Sequence, residues 1–269
     1  MDQIQAPFGR LLRHWRQQRH VSQLQLALLA EVSSRHLSWL ETGKAQPSRA
    51  MVLRLAEQLD VPLRERNSLL AAAGFAPLFT ALPLAHADMA PARAALQRLL
   101  DAHEPWPALA IDGHWNLVAH NRLVPLLLAA LVPHWPHSPV NVLTLSLHPL
   151  GLAPFISNLP AWRAYVLGRL QRQARVSGDA QLLSLLAELR ALPAPANLPD
   201  TASEPTWDVA VPLSLKTPLG PLNFITTITV FGAPHDITLA ELAVETLLPA
   251  DAATAAALQA FLLSVQHKH

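Results

Sequence analysis

Seven residues in one short stretch have side chains suited to bonding or packing against phosphates, sugars and base edges: Gln23, Ser33, Ser34, Arg35, Ser38, Trp39 and Lys44. Arginine pairs with the O6 and N7 edge of guanine or with a phosphate, and serine hydroxyls bond base edges or phosphates. Gln23 is expected at an exposed first turn, within reach of a phosphate or a base edge. Trp39 can pack on a sugar or a thymine methyl, or shield the core beneath it. The chain has no comparable signature for catalysis: it contains no P-loop, no GxGxxG after a strand, no GxSxG and no HExxH. Glu241 and Glu245 share a facing on a predicted strand, where solvation at a sheet edge accounts for both. No enzyme is expected.

The elements that must hold these residues are legible in the spacing. Ser22 caps a helix whose inner face is expected to carry Leu24, Ala27 and Leu28. Ala30-Glu31-Val32 forms a turn plugged by Val32. Ser33 then caps a second helix, Ser34 to Glu41, with Leu37 and Leu40 inward and Ser34, Arg35, Ser38 and Trp39 outward. Gly43 suits the left-handed stop after it, beside Thr42 and Lys44. Pro47-Ser48 opens the next helix, with an inner stripe of Val52, Leu55, Ala56 and Leu59. Two short helices joined by a tight turn are the frame of a helix-turn-helix.

Residues from Phe8 to about Gly74 resemble the lambda-repressor-like, or Cro/C1 xenobiotic-response-element, family of bacterial regulators. The matching pieces are Phe8-Gly9-x-Leu11-Leu12, Ser22-Gln23-x3-Leu26-Ala27, Val32-Ser33, Leu37-Ser38-x-Leu40-Glu41-x-Gly43 and Pro47-Ser48. The resemblance implies a five-helix domain with Ser34 to Glu41 as the recognition helix. Glu31 departs from the pattern, since such turns often carry glycine.

Charge agrees. Residues 1–75 hold ten Lys/Arg and six Asp/Glu, a net of +4, while residues 76–269 hold ten and thirteen, a net of −3. The basic part is the part that would meet phosphates. Arg10, Arg13, Arg16 and Arg19 recur every three residues and read equally as phosphate contacts or as a solvated face. The 269 residues suit two compact domains. The absence of cysteine excludes disulfides and thiolate metal sites, and with no signal-peptide pattern it points to a cytoplasmic protein. No apolar run approaches the ~20 residues a membrane helix needs. The mean hydropathy of +0.23 suggests a large core or a cavity.

Residues 77–90, rich in Ala, Leu and Pro, read as a linker between domains at 1–76 and 91–269. Beyond it, Asp112-Gly113 marks a hairpin, and a Leu-rich helix follows Asn121. His148-Pro149 is expected in a loop after an alternating run. Helices follow over about 157–176 and 181–190. Strands are expected over 209–215, 223–231 and 237–247, then a closing helix from Asp251 to Gln266. Together these give an α+β fold: an all-α domain, then an antiparallel sheet of about five strands with flanking helices, on a PAS-like plan.

This second part resembles the ligand-binding domain of MmyB-type transcription regulators. The resembling pieces are Ala108 to Asn121, Leu145 to Pro154, Asn158 to Arg163 and Thr226 to Pro249. The resemblance implies a pocket for a fatty acid or a similar apolar molecule and no other cofactor. Its expected apolar wall comprises Trp115, Leu117, Leu127, Phe155, Trp162, Phe224, Ile228 and Phe231. Its polar candidates are His120, Asn121, His148, Arg163, Tyr165, Thr226 and His235, with Arg163 the expected carboxylate partner. Which face of the strand holding Phe224, Thr226 and Ile228 meets the helices stays open. His134 with His137, and His267 with His269, lack a third ligand at useful spacing, so no metal site is expected.

The resulting expectation is a cytoplasmic homodimer that binds a double-stranded DNA operator, with half-sites about one helical turn apart, and answers to an apolar effector. The rival expectation is a repressor whose second domain only dimerises and is packed solid.

Overall fold

The structure is a computed structural model that describes residues 8–135, 139–193, 211–232 and 234–266. Its contacts divide the chain into two compact units, residues 1–82 with 233–240 and residues 83–232 with 241–269.

In the first unit the described residues form five consecutive helices: α1 (Phe8–Gln18), α2 (Gln23–Leu29), α3 (Ser34–Glu41), α4 (Arg49–Gln58) and α5 (Leu63–Ala72). The starts of α2, α3 and α4 are fixed by the expected serines. Ser22 accepts from the Gln25 amide in a capping box, Ser33 from His36 and Ser48 from Met51. Leu37, Leu40, Val52, Leu55, Ala56 and Leu59 are all buried, as the spacing requires. On the inner face of α2, Ala27 is buried as expected, but Leu24 and Leu28 are 61% and 70% exposed, and Leu26 and Ala30 are buried in their place. The helix begins at Gln23, so the stripe runs 23, 26, 27, 30 and leaves 24 and 28 turned outward. Gly9 lies so close to the end of α3 that a Cβ there would collide with the carbonyls of Leu40 and Glu41. The turn between α2 and α3 is kept despite Glu31, which adopts φ 54°. That is a left-handed conformation costing about 1 kcal/mol or more outside glycine.

In the second unit, among the described residues, five strands form one antiparallel sheet in the order β2-β1-β5-β4-β3. The strands are β1 (Ala108–Ile111), β2 (Leu117–His120), β3 (Leu213–Thr217), β4 (Gly220–Val230) and β5 (Ala243–Pro249). The helices α6 (Ala90–Ala102), α7 (Leu123–Leu131), α8 (Val142–Leu147), α9 (Leu159–Ser177), α10 (Ala180–Ala191) and α12 (Ala252–Gln266) surround it. The α+β plan with a five-helix first domain therefore holds. Two segments differ from expectation. The run before His148 is the helix α8, capped by Asn141 accepting from the Thr144 amide. The expected strand over 237–247 splits into a short helix, α11 (Ile237–Glu241), and β5. Asp236 accepts from the Thr238 and Leu239 amides at 2.8 and 3.4 Å and so starts a helical turn where Ile237 and Thr238 favour a strand. Residues 234–240 link β4 to β5 yet pack with the first unit. There Asp236 also accepts from the Thr80 hydroxyl at 2.7 Å and the Leu82 amide at 3.2 Å.

Candidate functional site: a DNA-reading helix and an apolar cavity

Among the expected DNA contacts, Ser34, Arg35, Trp39 and Lys44 are exposed, Ser38 is half-buried, and Ser33 is exposed but spends its hydroxyl on the helix cap. The Arg35 guanidinium lies 4.6 Å from the centre of the Trp39 ring. The indole thus braces the cation on the outer face of α3, a cation–π contact. Gln23 is placed differently from its expectation. Its amide donates to Glu41 Oε2 at 2.7 Å, because the same helical stripe that buries Leu26 and Ala27 turns Gln23 toward the end of α3.

Glu41 is the anchor of that corner. It accepts from Arg16 Nε at 2.6 Å and Arg13 Nε at 3.2 Å, and its side chain is fully buried. Burial pushes its carboxyl upward, but the hydrogen bonds from Arg16, Gln23 and Arg13 outweigh it, and the carboxyl sits below its ordinary range. The hydrogen bond to Glu41 likewise raises the Arg16 guanidinium. Arg19 donates to the carbonyls of Leu59 and Asp60. The arginine series on α1 is thus mostly internal clamps, with Arg10 left exposed.

The second unit encloses a cavity of about 120 Å³ between the sheet and α7, α8 and α9. Leu127, Leu131, Leu145 and Val166 form its helical wall and Leu117, Leu213, Leu215 and Phe224 its sheet wall. Of the expected ligand residues, Trp115, Leu117, Leu127, Trp162, Tyr165, Phe224 and Thr226 come together around this space. The face of β4 that meets the helices is therefore the Phe224 and Thr226 face. Trp162 donates its indole N–H to Ser146 Oγ at 2.6 Å, which fixes both at the wall.

The remaining candidates lie elsewhere. Arg163 does not line the cavity: its Nη2 donates to the carbonyls of Leu189, Arg190 and Leu192 at 3.0–3.1 Å and finishes the end of α10. It sits one position from Trp162 on α9, which turns its side chain about 100° around the helix, away from the cavity. Asn121 is buried as a structural pin, accepting from the Ala108 and Leu123 amides and donating to the carbonyls of Leu100 and Trp106. His120, at the end of β2, faces an open surface cleft with Gln97, Asp101, Glu104 and Arg122. His148 accepts from the Leu150 amide and rests against Trp135. Phe155 packs on the surrounding core without reaching the space. Ile228 is 40% exposed near the far end of β4, and Phe231 lies beyond that strand. His235 is exposed in the β4–β5 connection. His137, His267 and His269 lie outside the described residues. Among those described, no group of three potential ligands could hold a metal ion, and no helix is long and apolar enough to cross a membrane.

Two charged residues at the cavity escaped the expectation. Arg169 on α9 and Glu245 on β5 both line it. Arg169 Nη1 donates to Glu245 Oε1 at 3.3 Å, and its guanidinium carbon lies 4.3 Å from the centre of the Trp115 ring. Glu245 is thus not an edge residue: β5 is the middle strand of the five. Burial pushes its carboxyl up, and Arg169 pulls it back only in part. No local signal singles out Arg169, since α9 also carries Arg163, Arg172 and Arg175, while Glu245 is the one charge in β5.

The comparisons with known proteins follow the same division. A helix-turn-helix domain matches residues 7–69, and the MmyB-like transcription regulator ligand binding domain matches residues 92–261. No curated protein matches the chain. With a helix-turn-helix domain in one unit and a ligand-binding domain in the other, the chain is a DNA-binding transcription regulator, and it belongs to the family of the MmyB-like transcription regulator ligand binding domain.

Proposed function

We propose that this chain is a one-component cytoplasmic bacterial regulator, not an enzyme, whose DNA affinity is set by an apolar small molecule held in the second unit. It acts as a homodimer on a two-fold operator, each subunit laying α3 in a major groove with Arg35 toward base edges. The effector is of the acyl-chain class, an apolar molecule with a tail like that of a fatty acid. The observation that carries this reading is the cavity itself, walled by leucine, valine and aromatic side chains. A domain kept only for dimerisation would be packed solid at this position.

The size of the space says how a ligand would work. At about 120 Å³ it falls below the ~300–1,000 Å³ of ordinary ligand pockets. A chain too long for this space is held only if wall side chains move, so its binding favours an expanded arrangement over the unliganded one. An effector shifts DNA affinity by the difference in its affinity for the two.

The test is to select an operator from a random duplex pool and measure its affinity with and without saturating n-decanol or decanoate. A change of fivefold or more in operator Kd supports the switch. An unchanged Kd under demonstrated ligand binding removes it.

A further inference from the structure

The polar end of the cavity has an unusual charge balance. Among its described lining residues the titratable groups are Tyr165, Arg169 and Glu245. The single cation, Arg169, is already engaged on two sides, by the Trp115 ring at 4.3 Å and by Glu245 at 3.3 Å. Glu245 is not a loose surface group that can swing away. It is fixed in β5 by pairing with Leu109 of β1 on one side and Ile228 of β4 on the other. Those cross-strand neighbours are apolar, so the partner for its carboxylate on this face is Arg169. Its side chain keeps 12% of its surface accessible and that of Arg169 21%.

We propose that Glu245 makes the cavity selective for apolar ligands with an uncharged, hydrogen-bonding head, such as an alcohol, an amide or an ester, over the corresponding carboxylate. This rests on the reading of the cavity as an effector site. A carboxylate placed at this end must share Arg169 with Glu245, and two carboxylates around one guanidinium leave an uncompensated buried charge. It gains the arginine for itself only if Glu245 takes up a proton. An alcohol or amide meets no such conflict. It can accept from Arg169 and donate to Glu245 while the pair stays intact, and Ser146 and Thr226 offer further hydroxyls on the wall. Glu245 is thus a specificity-determining residue that acts by excluding the wrong charge.

The experiment is calorimetric titration of the full chain at pH 8 with n-decanol and with sodium decanoate, which share one tail and differ in head. The wild type should bind decanol at least tenfold more tightly. In Glu245→Gln, which keeps the shape and removes the charge, the decanoate affinity should rise at least tenfold and the preference should fall away or reverse. A thermal melt of the variant checks that it is folded, and the wild-type comparison stands whether or not it is. Tighter binding of decanoate by the wild type, or an unchanged preference in folded Glu245→Gln, overturns the proposal and leaves the effector reading in place. If neither ligand binds the wild type, the acyl-chain reading itself fails, and the head-group selectivity fails with it.

Discussion

Arg16, near the end of α1, and Glu41, the last residue of α3, are joined by a 2.6 Å hydrogen bond in a corner that also receives Arg13 and Gln23. The bond fixes where α3 ends relative to α1. Removing the carboxylate leaves Arg16 largely buried without its counter-charge. Glu41→Ala should cost about 3 kcal/mol, the low end for a broken buried pair because Arg13 and Arg16 keep some water. The measurement is the melting of the first unit within the full chain, followed by calorimetry.

The same pair sets an acid limit. The folded carboxyl of Glu41 lies below its unfolded value, so its contribution is fully present above the unfolded carboxylate pKa of about 4.3. It is lost as the pH falls through the folded value. The melting temperature of this unit should be flat from pH 6 to 8 in this respect and drop below about pH 4. Glu41→Gln should flatten the acid drop. An equal drop in the variant would show that other carboxylates control it.

Arg35 is the residue expected to read a base. Arg35→Ala should cost about 1–3 kcal/mol on the selected operator and much less on random duplex. Equal losses on both would make it a phosphate contact. Trp39→Ala removes the ring that braces the guanidinium at 4.6 Å and should weaken operator binding by about 0.5–1 kcal/mol through Arg35. In the Arg35→Ala background it should then do almost nothing further.

Glu31 sits in the left-handed region at φ 54°, and its side chain reaches only an exposed Arg54 at 3.9 Å. Glu31→Gly should therefore stabilise the first unit by about 1 kcal/mol, with operator affinity unchanged. A lower melting temperature would mean that the turn does not hold this conformation.

How far the sequence went can be read from five residues. Ser33 announced the start of α3, because a capping serine acts on amides two or three residues away, and that contact is local. Leu24 was misassigned because the stripe on α2 depends on which neighbours α2 meets, and a helix of about two turns carries too few residues to settle its own phase. Arg163 and Arg169 lie six apart on α9, and nothing local says which one turns toward the sheet. The pairing of Glu245 with Arg169 spans |i−j| = 76, so only the assembled sheet brings that charge balance into view. The five helices and the antiparallel sheet were legible because capping and alternation are short-range. The polar end of the cavity was not.

Asp236 ties Thr80 and Leu82 to the segment joining β4 and β5. Asp236→Ala removes the cap of α11 and these bonds together. The expected outcome is lost hydrogen-exchange protection at residues 80–82 and 236–240, normal operator binding without ligand, and at least a severalfold smaller effect of ligand on operator affinity. A full ligand effect in this variant would show that this segment takes no part in coupling.

The most direct measurement is native mass spectrometry of the wild type and of Leu127→Trp, both purified from cells and both checked by thermal melting, alongside the same samples after denaturing extraction. Leu127 lines the cavity, and an indole there would fill it. A stoichiometric small-molecule adduct on a wild-type dimer, released by denaturation and missing from the variant, is the predicted result. A bare wild-type protein, or the same adduct on Leu127→Trp, would contradict the claim that this cavity is where the regulator holds its effector.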